Sequence, residues 1–273
     1  MGVRAGDTVQ LMADVTRMAW HARRTGQPPP SEGLLDAFVA AVGPSGNVLV
    51  PTYNFDLRSG DRFDPRHTRS ISGALAGMAL RHPAFSRTAH PLHSFAVSGA
   101  DADTLLRSQE QGSFGPGSPF AFLFERRAAL IAIDLPLNDA LTFVHFVEER
   151  IGVPYRAHTY ITLDYTDRSG ATTKRRFSAY AKKHGHQMDF TALEPILERT
   201  GALTRGTVAG SQYLRVDLAA AYGVIADEIT LNGARNIHRF SWNRWLNEHV
   251  KDVLRTFGYR TRQERTAHAA RTA

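Results

Sequence analysis

The chain has no cysteine in 273 residues. That excludes disulfides, thiolate-held zinc or iron–sulfur clusters, a thiol nucleophile and a CxxC redox pair. It also lacks any apolar run of the ~18 residues that a membrane helix needs. The opening segment has no long apolar core of a secretory signal and no Ser or Thr where a myristoylation site requires one, so a cytoplasmic protein is expected. No Gly-x-Gly-x-x-Gly or Walker A pattern opens a helix, which weakens dinucleotide and P-loop readings. Acidic residues are in deficit, 26 against 33 Lys and Arg, for a net charge of +7. Residues 251–273 account for more than half of that excess, with six basic and two acidic side chains. The rest is nearly balanced. No helix-turn-helix, zinc finger or basic–aromatic platform is visible, so no nucleic-acid partner is expected.

What is present has the composition of a globular chain, 42% hydrophobic and 22% charged. The length is ample for a substantial core. We expect one domain over residues 1–259 and a basic, disordered tail over 260–273. Gln27-Pro28-Pro29-Pro30 reads as a stiff surface connection, with Ser31 as the cap of the helix that follows. Leu34, Leu35, Phe38, Val39 and Val42 then keep helical spacing. Strands are expected at Thr8–Met12, Val48–Val50 and Leu130–Ile133. Further helices are expected at Ser72–Arg81, Ala100–Ser108, Ser118–Arg126, Asn138–Ile151, Phe190–Arg199 and Ser241–Phe257. Val216–Val224 is apolar but ambiguous. Thr159–Thr166 and Ala171–Tyr180, joined by Asp167-Arg168-Ser169-Gly170, read as a hairpin, with Lys174-Arg175-Arg176 on a solvated edge. Interleaved strands and helices give an α/β class, and the hairpin argues for a mixed sheet.

Four clusters carry candidate chemistry. His145 and Glu148 stand three apart on the apolar face of a helix, where an imidazole and a carboxylate can meet. Such a pair makes a general base or a structural hydrogen bond, and spacing alone does not choose. Ala89-His90-Pro91-Leu92-His93-Ser94-Phe95 sits between helices; its groups can meet a ligand, hold a metal or bond to backbone. Ser113-Phe114-Gly115-Pro116-Gly117-Ser118-Pro119 opens a helix and offers free N–H groups to an anion, or is an ordinary turn. Phe63-Asp64-Pro65-Arg66 is a charged turn that can border an acceptor site.

In this order the segments resemble the aminoglycoside 3-N-acetyltransferases, antibiotic N-acetyltransferases distinct in fold from the GNAT enzymes. The matching pieces are Gly2-Val-Arg-Ala-Gly-Asp7-Thr-Val, Leu49-Val-Pro-Thr52, Phe63-Asp-Pro-Arg66, Gly73-Ala-Leu75, the Ala89–Phe95 and Phe114–Pro119 segments, His145-x-x-Glu148 and Val153-Pro-Tyr155. The resemblance implies an α/β/α sandwich with a central mixed sheet plus a β-hairpin extension. It implies acetyl-CoA or another acyl-CoA as co-substrate, a small-molecule amine acceptor, direct transfer and no metal. His145 would be the base and Glu148 its orienting carboxylate. His90, Ser94, Gly115, Gly117 and Ser118 would face the cofactor, and Asp64, Asp139, Thr142 and Tyr155 the acceptor. A homodimer is compatible with it.

The sequence departs from the family at Met12-Ala13-Asp14, where hydroxyl residues usually follow the first strand. It departs again at Ala140, Leu141 and Phe143, which replace polar residues before the dyad, and at Asp134-Leu-Pro-Leu137. These changes point to an acceptor other than a polycationic aminoglycoside. Two other readings stay open: a metal-dependent hydrolase using His90, His93, His145 and Glu148, and a relative that binds ligand without catalysis.

Overall fold

A computed structural model describes residues 1–26 and 33–256. Its strands in chain order are β1 (Thr8–Ala13), β2 (Asn47–Pro51), β3 (Arg62–Phe63), β4 (Ser86–Arg87), β5 (Phe95–Gly99), β6 (Ala129–Ile133), β7 (Arg156–Thr166), β8 (Thr172–Lys182), β9 (His186–Met188), β10 (Leu203–Val208), β11 (Ser211–Asp217) and β12 (His238–Phe240). The helices are α1 (Thr16–Thr25), α2 (Gly33–Val42), α3 (Ala74–Arg81), α4 (Ala102–Arg107), α5 (Pro119–Glu125), α6 (Leu137–Ala140), α7 (Val144–Ile151), α8 (Glu194–Arg199), α9 (Leu218–Asn232) and α10 (Trp242–Thr256).

Seven strands form the central sheet in the order β10-β11-β6-β1-β2-β5-β4. β1 runs parallel to β2 and β6, while the outer pairs are antiparallel. β2 and β6 are buried at every position. Such strands need cover on both faces, which is why they read as unbroken apolar runs. Along β6, Leu130 and Ala132 join the core that contains residues of α5, α7 and α9. Ile131 and Ile133 join the opposite core, with Leu35 and Phe38 of α2 and Leu75 of α3. Helices on both faces of a mixed sheet give the α/β/α sandwich.

β7 and β8 form the hairpin, longer than expected, in register from Arg156↔Lys182 to Thr166↔Thr172. Asp167 sets the turn by accepting from the Ser169 and Ala171 N–H groups. The basic cluster lies on β8, the edge of the three-stranded sheet β3-β7-β8. There Arg175 stacks over Tyr165 and Arg176 over Tyr160.

Three expectations change. The helix foreseen over Asn138–Ile151 is two, α6 and α7. Leu141 and Phe143 are both fully buried. Two residues apart on one helix they would point about 200° apart, and the break lets both reach the core. The Phe190–Arg199 helix starts only at Glu194, because Pro195 fits a first turn but not an interior. The Val216–Val224 stretch divides at Asp217, whose carboxylate caps α9 by accepting from the Ala219 and Ala220 N–H groups. The Gln27–Pro30 connection, the Ser31 cap and the 260–273 tail lie outside the described residues.

Candidate active site

One stretch of twelve residues builds the centre. α7 begins at Val144 and ends at Gly152, whose φ of 78° turns the chain out of the helix. Val153, Pro154 and Tyr155 then lead into β7 at Arg156. This short return brings the start of a strand back against the helix it has just left.

His145 Nδ1 lies 2.8 Å from Glu148 Oε2. The Tyr155 hydroxyl donates to Glu148 Oε1 at 2.9 Å. Arg156 Nε sits 2.6 Å from Glu148 Oε2, and Arg156 Nη1 donates to the Tyr180 carbonyl at 2.8 Å. Arg156 Nη2 lies against the imidazole, 2.8 Å from Nδ1 and 3.2 Å from Nε2. Glu148 is wholly buried, whereas the His145 side chain is 20% exposed.

Burial alone would push the Glu148 carboxyl up. The His145 hydrogen bond, the Arg156 charge and the Tyr155 hydroxyl outweigh it and hold the carboxyl below its ordinary value. Glu148 is therefore an anion. Burial pushes the His145 imidazole down and the Arg156 charge adds to that, against the pull of Glu148. The ring is neutral near pH 7; with Nδ1–H donated to Glu148, Nε2 is unprotonated and faces the Arg156 Nη2 donor at 3.2 Å. A partly exposed imidazole oriented by a buried carboxylate is the equipment of a general base.

His93 shares the Phe114 ring with His145, its centroid 5.0 Å and that of His145 6.2 Å from the phenyl. A hydrogen-bond chain fixes its tautomer. Ser113 donates to the Ser178 carbonyl and so accepts from His93 Nδ1 at 2.7 Å. His93 Nε2 is then the unprotonated nitrogen. Burial holds its imidazole well below the ordinary range.

A profile of the family described as aminoglycoside 3-N-acetyltransferase matches residues 22–229. The chain belongs to this family of N-acetyltransferases. Aminoglycoside N(3)-acetyltransferase IV of Salmonella sp is 28% identical over 135 residues, 48% of this chain and half the length of that relative. Aminoglycoside N(3)-acetyltransferase VII of Streptomyces paromomycinus is 28% identical over 218 residues, 71% of this chain and 72% of that one. AAC-IIIb, solved as a binary with CoASH, superposes with a TM-score of 0.71 at 21% identity, covering 85% of this chain and 92% of the other. That likeness is one of fold.

Within this member of the family, several expected site residues have other work. Ser94 is fully buried, accepting from Arg87 Nε and donating to the Thr52 carbonyl, so its hydroxyl is engaged in holding β5 to β2. His90 is 5% exposed. Its Nδ1 accepts from the His93 N–H, so Nε2 donates to the Ser178 carbonyl, and both nitrogens are spent on backbone. The glycine loop does bind an anion, but an internal one. Glu110 accepts from the Gly112 and Gly117 N–H groups, and a Cβ on Gly115 would strike its carboxylate. Ser118 caps α5 by accepting from the Ala121 N–H. With Glu110 in place, Gly115, Gly117 and Ser118 offer no open cradle to a phosphate.

Asp64 is paired with Arg66 at 2.8 Å within its own turn, which lowers its pKa through that hydrogen bond and leaves little for an acceptor. The Tyr155 hydroxyl, expected to face the acceptor, is spent on Glu148. Thr142 lies in the α6–α7 break beside the buried Tyr53 hydroxyl, and Asp139 is exposed on α6. Asp14 turns onto its own loop, accepting from the Thr16 N–H at 3.0 Å. Among the described residues no group of three or more His, Asp or Glu side chains is arranged to hold a metal ion. The shared-ligand reading of His90, His93, His145 and Glu148 therefore has no geometric support. Sequence reasoning missed Arg156 and Glu110. An arginine one residue beyond Val153-Pro-Tyr155, at the start of a strand that must return past the dyad, was the available signal for the first.

Proposed function

We propose that the chain transfers an acyl group from acyl-CoA directly to an amine of a small molecule, with His145 as general base and Glu148 as its orienting carboxylate. The observation that carries this reading is the 2.8 Å contact between His145 Nδ1 and the buried Glu148 carboxylate. A protonated amine has no lone pair to attack a thioester. The His145 Nε2 takes a proton from the acceptor nitrogen, and Glu148 stabilises the imidazolium that results. The neutral amine nitrogen then bonds to the thioester carbon, the carbon–sulfur bond breaks, the imidazolium returns its proton to the departing CoA thiolate, and the second proton on the nitrogen leaves to solvent as the amide forms. Family membership and the CoASH held by AAC-IIIb support the donor.

The acceptor is an amine less polar than an aminoglycoside, such as an amino sugar, a nucleoside or a specialised metabolite. What supports this is that Ala140, Leu141 and Phe143, which flank Thr142 ahead of the His145–Glu148 pair, are apolar, packed into the core and offer an acceptor no polar partner. The test is acetyl-CoA with a panel of amines, aminoglycosides included, read by release of free CoA. His145→Ala should lose about 10²- to 10⁴-fold in rate with its circular dichroism unchanged. Activity within a few-fold of wild type would remove His145 from its role. Rapid turnover of every aminoglycoside would refute the divergent acceptor.

A further inference from the structure

Beside Tyr155, an open cavity of about 520 Å³ lies between the end of α7, the end of α9 and the β9–β12 pair. Its volume falls within the range of small-molecule sites. Val153, Ile229, Thr230, Tyr155, His186 and His238 are among its walls. None of the described residues that line it carries a formal charge at neutral pH, and most of the wall is apolar. A cavity of that kind repels ions, which would lose hydration without gaining a partner.

Its polar groups converge. His186 Nδ1 and His238 Nδ1 are 3.4 Å apart. Burial lowers the pKa of both imidazoles, so both rings are neutral. Only one proton then stands between the two Nδ1 atoms. The ring that donates it has a bare Nε2, and the ring that accepts it carries an Nε2–H. The pair so offers one acceptor and one donor. The Tyr155 ring packs on both imidazoles, with centroids 3.8 Å from His238 and 5.7 Å from His186. The Tyr155 hydroxyl is the same group that holds Glu148 Oε1.

We propose that this cavity binds a small, uncharged, largely apolar molecule with a hydrogen-bonding edge, and that its occupant acts on the His145–Glu148 pair through Tyr155. An occupant pressed against the tyrosine ring shifts the hydroxyl that supports Glu148 and with it the carboxylate that orients His145. The site is distinct from the amine and thioester positions of the proposed reaction, since His145 is not part of its wall.

Indole is a suitable probe, flat and neutral with one N–H donor. Titrated into the full chain, it should bind saturably and shift the ring-proton resonances of His186 and His238. Thr230→Trp fills the cavity from an exposed helix position and should weaken indole at least tenfold with circular dichroism unchanged. Saturating indole should also move the titration midpoint of the His145 resonance. No saturable binding up to the solubility limit overturns the site. So does binding that shifts His67 or His158 in place of His186 and His238, or a folded Thr230→Trp protein that binds as wild type does. An unmoved His145 midpoint with indole bound overturns the coupling. No readout uses acyl transfer, so the site stands or falls apart from the proposed reaction.

Discussion

At the scale of single residues, the unusual feature is a cation pressed against a base. Glu148 alone would make His145 more basic; Arg156 opposes it and, with burial, keeps the imidazole neutral. The two neighbours also hold each other, because Arg156 Nε is 2.6 Å from the carboxylate. Removing either has a different signature. Arg156→Gln takes away a positive charge beside the ring, so the imidazole pKa rises. Since the proposed reaction needs the free base, the acid limb of the rate profile then moves to higher pH, and activity at pH 6 falls more than at pH 8. Glu148→Gln leaves Arg156 buried without its counter-ion. Breaking a buried pair from one side costs about 3–5 kcal/mol, so this variant should lose thermal stability as well as rate. Arg156→Gln breaks the same pair from the other side and melts lower too, so rate profiles from pH 5 to 9, and not melting curves, separate the two. Equal acid limbs in wild type and Arg156→Gln would sink the account of Arg156.

At the scale of elements, the sequence disclosed whatever depends on local pattern. β2 and β6 were readable because strands buried on both faces must be apolar throughout. The β7–β8 turn was readable because Asp167 and Gly170 have one efficient use there. The His145–Glu148 contact was readable from helical spacing, though the helix that carries it begins at Val144 and not at Asn138. What stayed hidden depends on contacts between elements. Arg156 gains its meaning only when β7 returns against α7, and Ser94 becomes a core bracket only when Arg87 reaches it. Glu110 is the clearest case. The loop from Ser113 to Pro119 has the glycines and the helix cap of an anion site, and three residues before it the chain supplies its own carboxylate. Glu110→Ala should therefore destabilise the fold by about 1–2 kcal/mol, as two charge-assisted hydrogen bonds are lost at a partly exposed position. Glu110→Gln retains one acceptor oxygen and should lose less. Urea unfolding ranks them, and an Ala variant as stable as wild type would show that the loop closes without its clamp.

At the scale of the whole molecule, three imidazoles are packed neutral around one cleft. His90, His93 and His145 all have their pKa lowered, with burial the main cause in each. For His90 the value falls from 6.5 to about 4. The consequence for stability follows from proton counting. Below pH 6.5 the unfolded chain takes up protons that the folded chain refuses, so stability is full above that pH and is lost as the pH falls. His90 alone accounts for a loss on the order of 3 kcal/mol between pH 6.5 and 4. Above about pH 6 the carboxylates of the unfolded chain are still ionised, so the upper part of that slope belongs to the histidines. Each neutral imidazole adds a slope of about 1.4 kcal/mol per pH unit. Urea midpoints between pH 7 and 5 should fall steadily, and His90→Asn should lower the slope by roughly one proton while costing stability at pH 7. A flat profile across that window would mean that the cleft accepts protons without unfolding, and that His145 is not held as a free base by its surroundings.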